Sequence, residues 1–126
     1  MFTTLASFAA STAAYLWPTK NSVHVKPINL GPASRLGDGQ VKAFVRDGRP
    51  ALVINSDGKF YAMSATCTHL SCTVKWNPDK QEIECPCHGG AFDAQGRPLR
   101  GPVKKPLRQF EVMLRNDNII VGGPLP

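Results

Sequence analysis

The chain of 126 residues has no internal repeat and no low-complexity tract, so it is not built from stacked units. It lacks the length for two hydrophobic cores, and one compact domain with a short appendage is the expected organisation. Acidic residues are scarce, nine Asp and Glu against fifteen Lys and Arg, which gives a formal charge of +6. That excess does not signal nucleic acid, because the basic residues are spread thinly and no aromatic-basic interleaving of an RNA-binding motif occurs. One local concentration, Arg97, Arg100, Lys104, Lys105 and Arg108, has no acidic residue within it. It reads as a solvated face or as a docking surface for an acidic partner.

Charge is missing altogether from Met1 to Trp17, and Pro18 follows at once, so an apolar helix over residues 1–17 would stop there. At 1.5 Å per residue such a helix reaches about 26 Å, a little short of the roughly 30 Å hydrocarbon core of a bilayer. Tyr15 and Trp17 suit the interface belt and Lys20 the headgroups, and Ala6, Ala10 and Ala14 would allow a close helix neighbour. The positive region of a cleavable signal peptide is absent. The segment is therefore read as a membrane anchor, with an apolar tail packed on a partner subunit as the alternative. A linker follows over residues 18–38, and the domain proper is expected over 39–126.

What the chain has in quantity is glycine and proline, eleven of each, which favours short strands and turns over long helices. Strand-like runs do alternate with turn signals. Val41 to Val45, Ala51 to Ile54 and Phe60 to Met63 are separated by Asp47-Gly48 and Asp57-Gly58, the pattern of a meander. Thr73 to Trp76 and Gln81 to Glu84 flank a Pro78-Asp79 turn, and Phe110, Val112 and Leu114 lead through Asn116-Asp117-Asn118 into Ile119 to Val121. The fold class is all-β, a small antiparallel domain. Trp76 is expected to pack, and His24 reads as a surface or linker histidine.

Four cysteines are too few for a miniprotein held by disulfides, and they fall in two tight groups flanked by histidine. Cys67-Thr68-His69-Leu70-Ser71-Cys72 and Cys85-Pro86-Cys87-His88-Gly89-Gly90 stand at the two ends of the hairpin between them. A hairpin brings its ends together, so sulfur and imidazole ligands converge in a set that suits zinc or an iron-sulfur centre. In a plain Cys2His2 zinc site two of the cysteines would be left without a metal role. If Cys72 and Cys87 pair with each other, the bridge closes a loop of about fifteen residues, worth roughly 3 kcal/mol in the chain-entropy model.

CTHLSC followed by CPCHGGAF resembles the two-box signature of high-potential Rieske proteins, over a core from about Val41 to Gly122. The resemblance implies one [2Fe-2S] cluster per chain, bound by Cys67 and Cys85 on one iron and by His69 and His88 on the other, with Cys72 and Cys87 as a disulfide. It also implies that Leu70, Gly90, Phe92, Gly101 and Pro102 surround and tune the centre, with residues 101–106 as the proline-rich loop over it. Two thiolates leave an oxidised cluster neutral where four would make it a dianion. Adding an electron is then easier, and Rieske potentials lie at about −150 to +300 mV against roughly −400 mV for plant-type ferredoxins.

By the same resemblance the chain is the electron-transfer subunit of a cytochrome bc-type quinol oxidoreductase. His69 and His88 would contact quinol and couple proton to electron transfer, and a cytochrome b and a c-type cytochrome would be partners. A disulfide places the domain on the oxidising, periplasmic or equivalent side of the membrane. The small subunit of an arsenite-oxidase-like enzyme, or a soluble Rieske ferredoxin, are the other readings. The chain departs from high-potential members in one respect. They carry a Ser and, two residues on, a Tyr that donate hydrogen bonds to the centre, where this sequence has Gly90 and Phe92. A potential below the top of the range is expected, and with it a low-potential quinol such as menaquinol.

Overall fold

The computed structural model describes residues 25–125. The expected anchor over residues 1–17 and the linker residues 18–24, His24 among them, lie outside them. Among the described residues no helix is long and apolar enough to cross a membrane.

Two antiparallel sheets make up the domain. The larger contains β1 (Ile28–Pro32), β2 (Val41–Arg46), β3 (Arg49–Ser56), β4 (Lys59–Ser64), β9 (Gln109–Arg115) and β10 (Asn118–Pro124), in the order β1-β10-β9-β4-β3-β2. The smaller, β5 (Lys75–Asn77), β6 (Glu82–Glu84), β7 (Ala91–Phe92) and β8 (Pro98–Arg100), is a simple meander inserted between β4 and β9. Three tight hairpins set the register of the large sheet. Arg46 pairs with Arg49, Ser56 with Lys59 and Arg115 with Asn118, leaving two residues at each turn. Those residues have positive φ: 50° and 73° at Asp47-Gly48, 53° and 78° at Asp57-Gly58, 49° and 62° at Asn116-Asp117. The twist of such turns matches that of the strands they join, which is why Asp-Gly and Asn-Asp stand there.

β3 has both faces covered, and its alternate side chains feed two cores. Leu52 and Ile54 join Met63, Val74, Ile83, Phe92, Val103 and Leu107 between the sheets. Val53 joins Leu30, Leu36, Ala62, Ile119 and Val121 on the other side. The Trp76 indole packs against the first core and donates to the Gly39 carbonyl at 2.9 Å, fastening the small sheet to the segment before β2.

The stretch expected to be linker contributes structure of its own. Ile28 and Asn29 pair with Val121 and Ile120, and a one-turn 3-10 helix follows at Ala33–Arg35. Asn29, Gly31 and Pro32 hide this edge strand from a search for β-branched alternation.

Candidate metal centre

Three loops converge at the end of the small sheet, and the first two are each closed by their own backbone. In the first, the Cys67 N–H donates to the Cys72 carbonyl at 2.6 Å and the Ser71 N–H to the Cys67 carbonyl at 3.1 Å, with Ser71 at φ 57° reversing the chain. Thr66 and Thr73 form a bridge at its neck. In the second, the Cys85 N–H donates to the Gly90 carbonyl at 2.8 Å across a turn in which Gly89 takes φ 70°. The third, residues 101–106, is held to the first by Thr68 Oγ1 donating to the Lys105 carbonyl at 2.9 Å. It meets the second at Gly101, where an added Cβ would stand 2.7 Å from Gly90 Cα.

A Cys72–Cys87 disulfide, with Cα atoms 6.5 Å apart, ties the first two loops together. Cys67 and Cys85 are free and buried, at 3% and 4% exposure. Burial pushes the Cys67 thiol up, and the adjoining Cys85 thiol, to which it is hydrogen bonded, adds to the shift. The backbone N–H groups of His69 and Leu70 act in the opposite direction on the same sulfur. His69 and His88 are exposed, their rings edge to face at 86° with centroids 5.3 Å apart. The sulfurs of Cys72, Cys85 and Cys87 also lie within 4.8 Å of one another, but two of the three are spent in the disulfide and cannot ligate.

The two boxes are thus sorted by burial. Two thiols point inward side by side and two imidazoles meet at the surface. The donors fit a centre needing two thiolates and two neutral imidazoles, and the N–H groups directed at Cys67 favour the deprotonated sulfur that ligation requires. Leu70 stands 57% exposed beside the histidines as an apolar tip. Gly101 and Pro102 lie in the loop packed on Gly90, while Phe92 is fully buried in the core.

Two contributors escaped the sequence reading. Thr68 stands between Cys67 and His69, and no residue pattern announces its tether to Lys105. Val103 is 6% exposed and sits 2.8 Å from where a Gly90 Cβ would be. Its signal was available, a lone β-branched residue among Gly, Pro and Lys. The cluster of basic residues is partly neutralised: Arg97 pairs with Asp93 at 2.6 Å, and Arg100 with Glu82 at 2.7 Å.

Comparison with known proteins agrees with this geometry. Residues 26–111 match the model of the Rieske [2Fe-2S] domain. The iron-sulfur subunit of the cytochrome b6-f complex of Chlorobaculum thiosulfatiphilum is 35% identical over 105 residues, 83% of this chain and 58% of that one. The cytochrome b6-f complex iron-sulfur subunit 2 of Nostoc sp. (strain PCC 7120) is 44% identical over 78 residues, 60% of this chain and 44% of that one. The chain thus spans about half the length of these curated relatives. Among solved structures, the plasma membrane Rieske protein PetC3 from Synechocystis PCC 6803 superposes with a TM-score of 0.70 at 30% identity, covering 76% of this chain and 99% of that one. The ferredoxin of carbazole 1,9a-dioxygenase from Nocardioides aromaticivorans IC177 gives 0.64 at 30% identity, covering 77% and 97%. The two loops, their buried thiols and exposed imidazoles, and the match across 26–111 lead to one conclusion: the chain belongs to the Rieske [2Fe-2S] family, and its cofactor is a [2Fe-2S] cluster.

Proposed function

We propose that the chain is the Rieske electron-transfer subunit of a membrane quinol oxidoreductase of the cytochrome bc type, taking electrons from a quinol and delivering them to a c-type cytochrome. Cys67, His69, Cys85 and His88 hold the cluster, and Cys72 with Cys87 braces their loops. The observation that carries this reading is the exposed, edge-to-face pair of His69 and His88 rings above two buried thiols. A redox centre buried on its sulfur side and open on its imidazole side meets its donor through the imidazoles.

The bound group supplies a one-electron acceptor in the upper part of the iron-sulfur range. The protein supplies the rest. An imidazole bound to metal through one nitrogen keeps the other for a proton, so His69 or His88 accepts a hydrogen bond from a quinol hydroxyl and can take its proton. Leu70 and Pro102 offer apolar surface beside them for the quinol ring. The disulfide and the Thr68 tether keep both histidines in one orientation, so docking does not have to order two loops. Lys104 and Lys105, exposed on the third loop, present positive charge to an acidic partner. Gly90 and Phe92 provide no side-chain donors, which suits a low-potential quinol such as menaquinol.

The relatives that are cytochrome b6-f subunits support membership in such a complex, and residues 1–17 are the proposed anchor that holds the domain on the oxidising side of the membrane. The likeness to a dioxygenase ferredoxin favours a second reading, a soluble electron carrier, to which the disulfide is foreign. Purification from membranes separates the two. Co-purification of a cytochrome b, with quinol producing the EPR signal of the reduced Rieske cluster, is expected. Recovery with a molybdenum enzyme, or as a soluble chain feeding an oxygenase, would overturn the proposal.

A further inference from the structure

Arg46 closes β2 and pairs with Arg49 across the Asp47-Gly48 turn. Its side chain is 2% exposed. The guanidinium lies over the Phe110 ring, 5.0 Å from the centroid, and Nη1 reaches the Val121 carbonyl at 3.4 Å. Nε and Nη2 are buried and meet no acceptor within hydrogen-bonding distance among the described residues. The Asp47 carboxylate stands 3.8 Å from Nε and is itself 82% exposed, too far to accept and too wet to neutralise. Arginine does not shed its proton, and an ionised group taken out of water is ordinarily paired. Here a held cation keeps donors in reserve.

The Arg46 side chain lines a cleft of about 290 Å³ with Asp47, Arg49, Ser64, Arg108 and Phe110. Three guanidinium groups against one carboxylate leave an excess of two positive charges in it. The first acidic residue of the chain is Asp38, so residues 1–37 carry no carboxylate side chain that could fold back as the missing counter-charge. We propose that this cleft is a second binding site, anchored by Arg46 and rimmed by Arg49 and Arg108, for the phosphate group of a small anion or lipid headgroup. Forked guanidinium donors match a tetrahedral oxyanion, which offers acceptors to several at once, better than they match a single carboxylate. The cleft is too small for a nucleotide-sized cofactor.

The position favours a headgroup. Val25 packs 3.5 Å from where a Gly123 Cβ would stand, two residues along β10 from the carbonyl that Arg46 holds. The N-terminal segment therefore leaves the domain close to this cleft, and a membrane-held segment would bring lipid phosphates to it.

The full chain carrying its cluster, in a non-ionic detergent, is titrated calorimetrically with inorganic phosphate and with glycerophosphoglycerol, the soluble diester of an anionic lipid headgroup. Saturable binding of one equivalent is expected, absent with chloride at equal ionic strength. Arg49→Gln and Arg108→Gln are placed on the exposed rim, so the test does not depend on substituting the buried Arg46. Each should weaken binding about tenfold and leave the Rieske EPR signal unchanged. A diester bound at least as tightly as phosphate identifies the lipid source, and phosphate bound more tightly identifies the free ion. No saturable binding of either, or undiminished binding in the Arg49→Gln/Arg108→Gln double variant, overturns the site.

Discussion

Gly90 is where the centre's missing hydrogen-bond donor and its packing meet. A Cβ built there stands 2.8 Å from Val103 Cγ1, 3.5 Å from Cγ2 and 3.8 Å from Cys85 Cβ. Carbon atoms pack at about 3.5–4.0 Å, so Gly90→Ala requires a displacement approaching 1 Å in a well-filled core. Overpacking of that kind costs about 1–3 kcal/mol. Val103→Ala removes buried methyl groups and leaves a cavity, at about 2–3 kcal/mol by transfer plus cavity terms. In the double variant the new methyl enters the vacated space, so the costs should fall short of additivity by about 1–2 kcal/mol. At roughly 4–8 °C per kcal/mol for a domain of this size, Gly90→Ala lowers the melting temperature measurably, and Val103→Ala lowers it less in the Gly90→Ala background than in the unaltered protein. The assay is thermal loss of visible circular dichroism in the four proteins of the cycle. An unchanged melting point in Gly90→Ala, or strict additivity, would refute the claim that Val103 excludes a side chain at position 90. The same logic says that a hydroxyl at 90 reaches the centre only when Val103 is trimmed. Gly90→Ser in the Val103→Ala background should then raise the midpoint potential by roughly 60 mV per hydrogen bond of about 1.5 kcal/mol.

Other perturbations test the remaining parts. Gly101→Ala should cost more than Gly90→Ala, because φ is +84° and the new methyl would meet Gly90 Cα at 2.7 Å, backbone that no side-chain truncation relieves; equal melting points for the two would contradict this. Joint replacement of Cys72 and Cys87 by Ser should lower stability by about 3 kcal/mol, read as faster loss of the visible spectrum on heating, and an unaffected protein would show that the bridge braces nothing. Redox titration of the unaltered protein should give a midpoint well below the top of the roughly −150 to +300 mV Rieske range, and a value near the upper limit would remove the argument from Gly90 and Phe92.

The strands and the centre were legible in the sequence to different depths. Asp47-Gly48, Asp57-Gly58 and Asn116-Asp117 announce their hairpins because positive φ selects those residues, and the structure places a turn at each. β1 was not legible, since Asn29, Gly31 and Pro32 are poor strand formers and only pairing with β10 makes the segment extended. β7 and β8 are two and three residues long, below any usable periodicity. At the centre, the residue types of the two boxes declare sulfur and imidazole chemistry, but only the folded loops show thiols buried and imidazoles exposed. The contact of Val103 with Gly90 and the tether from Thr68 to Lys105 join loops distant along the chain. No local pattern encodes them. Arg46 was equally silent, because its burial follows from the ring of Phe110 on a strand far away in sequence.

The nearness of Cys85 to the bridge, with all three sulfurs within 4.8 Å, has a consequence for the order of maturation. A thiolate beside a disulfide is a nucleophile beside its electrophile, and exchange would move the bond to Cys85 and release Cys72 or Cys87 with no net oxidation. Burial of Cys85 slows that reaction, and ligation at the proposed site would end it by committing the sulfur to iron. A chain that acquires its cluster before its disulfide never passes through the state in which the wrong pair can form. One that oxidises first must rely on the shelter of its fold.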